Sequence, residues 1–199
     1  LINNLGFYNN TAVLLISSPP YILGFVSIIG VAFYADRVQV RSIPAVISMS
    51  IAVIAAIIIV ALKQNAPWAR YAMLFPLVCG IYTTYCVTYT WLSSTIVRPP
   101  IKRAAAIGIA NTFANSAVLF GNYFWLDKYA PTYAPSWGCI IAFGCISVIC
   151  LVSLRISLVK ANKKFDKLES ETDIQDPIQL QRLTEVESRA VLSGFRYVT

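Results

Sequence analysis

The sequence predicts an all-α, polytopic membrane protein with five transmembrane helices. Two observations carry that prediction. The chain is 57% hydrophobic and 13% charged, about half the charge of a soluble domain of this size. Its charges are also clustered: residues 1–154 hold eight Lys/Arg and two Asp/Glu, gathered between uncharged runs at 11–35, 42–62, 71–97, 104–126 and 138–154. At about 1.5 Å per residue, some 20 residues cross the hydrocarbon core. Four runs are long enough outright. The last has 17 residues and gains length from Trp137 before it and a snorkelling Arg155 after it. Only helices use such runs singly in lipid, because each backbone group is then satisfied within its own segment.

The first run contains Pro19-Pro20, which either interrupt a helix that lines a cavity or mark a helix start. It ends in the hairpin A-D-R-V-Q-V-R, where Asp36 and Arg41 flank a tight turn and Arg37 adds charge. The second run carries no charge. In the third, Phe75, Val78, Tyr82, Tyr85 and Tyr89 recur every three or four residues and form one stripe, with Thr84, Thr88 and Trp91 on another face. Such stripes are commonly packing surfaces, but three tyrosines at membrane depth need partners for their hydroxyls, which favours a polar cavity. The knot R-P-P-I-K-R follows, with Arg98, Lys102 and Arg103. The fourth run carries Asn111, Asn115 and Asn122 on one face, serving either as interhelical glue or as the lining of a pathway. For Asn122 glue or surface is the better reading; Asn111 and Asn115 favour the pathway. After the fifth run the composition turns polar and mixed in charge from residue 161, with a weak amphipathic patch at Leu180, Leu183, Val186 and Ala190. That segment reads as a solvated tail with a short helix.

Charge placement predicts the orientation. The connections after runs one, three and five hold ten Lys/Arg against three (Lys63, Arg70 and Lys128) after runs two and four. Positive charge marks the cytoplasmic side, so the C-terminus is expected inside and the N-terminus outside. The expected organisation is an external loop remnant at 1–10, the five-helix part at 11–160 and a cytoplasmic tail at 161–199. The sequon Asn9-Asn10-Thr11 falls on the outer side, too close to the membrane to be expected to carry glycan. The basic pI near 9.3 does not point to nucleic acid, since the cations lie between spans and form no soluble face. Five cysteines without ligand spacing, in a chain without histidine, argue against a zinc or haem site and read as packing residues. No catalytic residue, metal or cofactor is predicted.

The run W-L-S-S-T-I-V-R-P-P-I-K-R-A-A-A, followed by N-x-x-x-N and Y-A-P-T-Y, resembles the second half of a fungal major facilitator transporter. The likeness is to the anion:cation symporter subfamily, which includes allantoate, nicotinate and pantothenate permeases. L-L-I-S-S-P-P-Y, A-D-R-x-x-x-R, N-K-K-F-D after the last run and the terminal G-F-R-Y agree in order. The resemblance extends over essentially the whole chain. It implies a twelve-helix protein of two bundles, of which these five helices correspond to helices eight to twelve. The N-terminal bundle and the seventh helix are then expected as partners, and the chain as a fragment. By position, Asp36, Arg37, Arg41, Arg98, Lys102 and Arg103 become a cytoplasmic latch, and Tyr82, Tyr85, Tyr89, Asn111 and Asn115 a substrate pathway. The implied function is uptake of a small organic anion with protons, by alternating access in the plasma membrane. A non-transporting membrane protein that only packs with partners is the alternative. An enzyme is disfavoured, because no nucleophile–base or carboxylate pair lies in any run.

Overall fold

The computed structural model describes residues 10–38, 40–62, 66–96, 100–124, 133–171 and 196–197. These form five helices: α1 (Asn10–Val38), α2 (Ser42–Ala61), α3 (Pro67–Thr95), α4 (Pro100–Phe124) and α5 (Ala134–Glu171). All five are long and apolar enough to cross a membrane, and no strand occurs among the described residues. The all-α architecture expected from the uncharged runs is the one observed.

The central element is α2, packed against α3 on one side and α5 on the other. It buries Ala45, Ala52, Ala55, Ala56 and Ile59 and turns Ile47, Ile51, Ile54, Ile57 and Val60 outward. Small residues inside and branched ones outside suit a helix whose surroundings are as apolar as its neighbours, where close backbone approach supplies the packing energy. The closest approach is at Gly80 of α3. A Cβ built there would lie 2.4 Å from the Ser48 carbonyl oxygen and 2.8 Å from Ala52 Cβ. Gly144 of α5 does the same more loosely, with Val53 Cγ2 at 2.6 Å. The pairings Ala45–Thr84 and Ile59–Arg70 run α2 antiparallel to α3. Those of Ile16 with Tyr71 and Ser27 with Thr83 run α1 parallel to it. The bundle therefore has an Arg41 end and an Arg70 end. Two buried clusters divide its length: Ala52, Ala55, Ala56, Ile59, Leu77 and Trp137 toward the Arg70 end, and Ala45, Val87, Trp91, Leu151 and Leu158 toward the Arg41 end.

Both Pro19 and Pro20 lie inside α1, nine residues or more past its start at Asn10, so the helix runs through them. Pro20 has no N–H for the carbonyl of Ile16, four residues back. The Tyr71 hydroxyl donates to that carbonyl at 2.7 Å, so α3 re-satisfies the group that proline frees. Three basic residues stand elsewhere than the loops the charge count assigned them. Lys102 and Arg103 fall in the first turn of α4, which begins at Pro100 because proline is favoured where no N–H partner is needed. Arg70 belongs to α3, one turn in, and is only 8% exposed. The five cysteines all lie in α3 and α5 and are unpaired. Cys79, Cys86 and Cys139 are half-buried, whereas Cys145 and Cys150 face outward, so packing within these five helices accounts for three of them. The helix of the last run continues without a break past residue 160 to Glu171. The patch at Leu180–Ala190 lies outside the described residues.

Candidate functional site

Asn111 and Asn115 sit on a face of α4 made of Gly108, Asn111, Thr112, Asn115, Ser116 and Leu119, which lines an open groove of about 550 Å³. The spacing of three and four residues puts these side chains on a single stripe. Local bonds hold it: Thr112 donates to the Gly108 carbonyl at 2.9 Å, Ser116 to that of Thr112 at 2.8 Å, and the Asn115 amide to that of Asn111 at 2.8 Å. From α3, the Tyr89 hydroxyl donates to Asn111 Oδ1 at 3.3 Å. The Tyr85 and Tyr89 rings are tilted against each other with centroids 4.6 Å apart. Tyr82, a turn and more away, meets the Tyr21 ring of α1 edge-on at 6.0 Å.

The structure thus brings Tyr85, Tyr89, Asn111 and Asn115 to one polar surface and continues it to α1 through Tyr82. Tyr82 and Tyr85 remain about half exposed, at 45% and 51%, and no part of the α4 span is buried by the other helices. Amides facing acyl chains are costly. A stripe of two asparagines, a threonine and a serine therefore belongs against water or more protein. The companion face of α3, with Thr84 and Trp91, is instead buried against α2, where Thr84 Oγ1 donates to the Ala45 carbonyl at 3.3 Å. Asn122 lies in α4.

At the Arg41 end, the first hairpin closes on itself and on α3. Arg41 donates through Nη2 to Asp36 Oδ1 at 3.0 Å and through Nη1 to the Thr90 carbonyl at 3.0 Å. One guanidinium fork therefore joins α1, α2 and the last turns of α3. Arg37 is exposed in the last turn of α1. Lys102 and Arg103 are exposed on α4, and Arg98 lies outside the described residues.

Arg70 is the residue that charge counting missed. Its Nε donates to the Ile59 carbonyl at 3.2 Å, one of the last carbonyls of α2, which have no partner within their own helix. A cation at that end also complements the helix dipole. The sequence signal available was its place three residues after Pro67, an N1 proline that starts the helix before the arginine. Outside the spans, Arg196 donates to Asp166 and Glu169. Its pKa is pushed further up, first by the hydrogen bond to Asp166.

Comparison with known proteins identifies relatives of one kind. An uncharacterized transporter of Schizosaccharomyces pombe is 33% identical over 153 residues, covering 75% of this chain and 29% of its own length. The high-affinity nicotinic acid transporter of Saccharomyces cerevisiae is 28% identical over 180 residues, or 89% of this chain and 33% of that protein. An MFS-type transporter of Penicillium expansum is 26% identical over 141 residues, 69% and 27% of the two chains. The chain is similar to fungal transporters of the major facilitator type. Such relatives, together with five spanning helices, make it a transporter-like integral membrane protein, and none of them is named as an enzyme. The chain spans about a third of the length of these relatives. No family model matches the chain, and no solved structure matches it.

Proposed function

We propose that this chain forms part of a secondary active transporter that takes up a small organic anion with protons by alternating access. The observation that carries the reading is the polar surface of Tyr85, Tyr89, Asn111 and Asn115 beside the open groove along α4, on spans that are otherwise apolar. One relative is named as a nicotinic acid transporter, which supports a carboxylate of that size and class as cargo. Tyr82, Tyr85, Tyr89, Asn111 and Asn115 form the pathway in this reading. Asp36, Arg37 and Arg41, with Arg98, Lys102 and Arg103, form a cytoplasmic latch whose pairing changes between inward- and outward-open states. The groove is completed by helices beyond these five, in keeping with the larger size of the relatives and with the uncovered face of α4. The Arg41 end faces the cytoplasm of the plasma membrane and the Arg70 end faces outside, following the distribution of Lys and Arg.

Uptake of labelled nicotinate, pantothenate and allantoate by cells expressing the transporter that carries this chain tests the proposal. Asn111→Leu removes the acceptor of the Tyr89 bond with little change in size. Hydrogen bonds between spans are worth about 0.6 kcal/mol on average, so loss of glue alone leaves abundance and KM nearly unchanged. A pathway role instead raises KM at least about tenfold at normal surface abundance. Unchanged uptake of every compound that the unaltered protein accumulates would return Asn111 to packing.

A further inference from the structure

The motif N-K-K-F-D at residues 162–166 and, far away in sequence, Arg196-Tyr197 of G-F-R-Y are brought together by the fold. The Asn162 side chain accepts from the Tyr197 backbone N–H at 2.9 Å and donates to the Tyr197 carbonyl at 2.9 Å. One amide thus satisfies both main-chain groups of one residue. Arg196 donates through Nε to Asp166 at 2.6 Å and through Nη2 to the Glu169 carboxylate. The Tyr197 ring lies against Phe165, with centroids 5.8 Å apart. Asn162, Phe165, Asp166 and Glu169 follow the spacing i, i+3, i+4, i+7, so all four contacts fall on one face of α5. That face differs from the opposite one, where the same spacing places Lys160, Lys163, Lys164 and Lys167.

Phe165 stands in a polar stretch yet is only 5% exposed, which an exposed tail helix would not provide. Tyr197 also packs against the cluster of Ala45, Val87, Trp91, Leu151 and Leu158, whose members come from α2, α3 and α5. The cluster lies beside the place where Arg41 of the first hairpin grips the carbonyl of Thr90, the neighbour of Trp91.

We propose that Arg196 and Tyr197 form a clip that fastens the polar extension of α5 to the Arg41 end of the bundle. The clip makes that extension a strut bracing the end that Arg41 braces from the α1–α2 side. The device is conformational: it releases by breaking the two Arg196 ion pairs, the Asn162 pairing and the packing of the Tyr197 ring. It stands independently of what the protein transports.

Hydrogen exchange of the protein reconstituted in lipid nanodiscs tests the clip. Arg196→Glu sets like charges against Asp166 and Glu169. Amides of residues 160–171 should then exchange at least about tenfold faster, the scale expected from losing charge-assisted hydrogen bonds. Amides of residues 140–154 should keep their rates, which controls for the fold. Reversing the partners as well, in Asp166→Arg/Glu169→Arg/Arg196→Glu, should restore protection. Removing the ring in Tyr197→Ala should accelerate the same peptides without changing any charge. Unaltered exchange at 160–171 in both Arg196→Glu and Tyr197→Ala would overturn the clip. Acceleration that the charge swap leaves in place would overturn the pairing on which it rests.

Discussion

Replacing Gly80 by alanine tests the helix packing most directly. The new Cβ would sit 2.4 Å from the Ser48 carbonyl oxygen, 2.8 Å from Ala52 Cβ and 3.1 Å from the Ala52 nitrogen. Reaching even 3.0 Å from that oxygen requires a retreat of 0.6 Å (3.0 − 2.4). Two of the three opposing atoms are backbone, so α2 must shift as a body and no side chain can rotate away. Overpacking of this kind costs about 1–3 kcal/mol, and alanine's better helix propensity returns up to about 1 kcal/mol. The clash wins, by about 1–2 kcal/mol for Gly80→Ala and by more for Gly80→Val. With a slope of roughly 2–4 °C per kcal/mol for a chain of this length, the melting temperature in detergent should fall by about 2–8 °C. Gly144→Ala should cost less, because Val53 Cγ2 and Met49 Cε are side-chain ends. Gly30→Ala and Gly138→Ala meet nothing within 4 Å and should melt close to the unaltered protein. If Gly80→Ala melted together with Gly30→Ala, the close α2–α3 approach would be refuted.

Asp36→Asn removes an exposed ion pair worth about 0.2–1 kcal/mol and leaves Arg41 bonded to Thr90. Stability should barely change while transport by the intact protein falls, and normal uptake at normal surface abundance would exclude the latch. Arg70→Met keeps the apolar stem but strips the cap from Ile59. It should cost about 1–3 kcal/mol, read as a lower melting temperature, with any value within the scatter of the Gly138→Ala control counting against the cap. For orientation, cysteines placed singly at 102 and 163 in a cysteine-free background should resist impermeant reagents outside the cell, whereas those at 9 and 128 should react; external labelling at 102 would reverse the assignment.

The five spans were legible because hydropathy over 17 or more residues is a bulk property that no tertiary contact overrides in lipid. Helix boundaries were less so. Charge marks where a chain leaves the membrane, but a helix obeys its own caps, so Pro67 and Pro100 draw Arg70, Lys102 and Arg103 into α3 and α4. Periodicity correctly grouped Tyr85 and Tyr89 on one face and Asn111 and Asn115 on another. That these two faces meet is a matter of helix register, and no single sequence encodes register locally. The same limit hid the Tyr71 bond to the Ile16 carbonyl, although the need for some donor was readable from Pro20. The docking of Arg196 and Tyr197 on α5 was equally invisible, since a polar composition reads as solvated tail until a buried Phe165 says otherwise.

The disposition of charge bears on how such a transporter would couple protons to an anion. Tyrosine and cysteine have ordinary pKa values near 10 and 8.5, poorly matched to proton exchange at neutral pH, and intramembrane relays use Asp, Glu or His. Among the described residues of α1–α4 the carboxylate is Asp36, at the very end of α1 and engaged by Arg41. The buried cation among the described residues is Arg70, but its Nε is spent on the Ile59 carbonyl at the end of the bundle opposite Thr90 and the Tyr89–Asn111 pair. An arginine so placed holds α2 to α3 and does not reach into the groove. The groove and the Tyr85–Tyr89 pair beside it offer amides, hydroxyls and aromatic faces, chemistry that orients a planar carboxylate without neutralising it. For the proposed transporter we infer that these helices supply shape and hydrogen bonds, and that, Arg98 of the R-P-P-I-K-R knot apart, the coupling acid and the cation that pairs with the anion come from the helices that complete the groove.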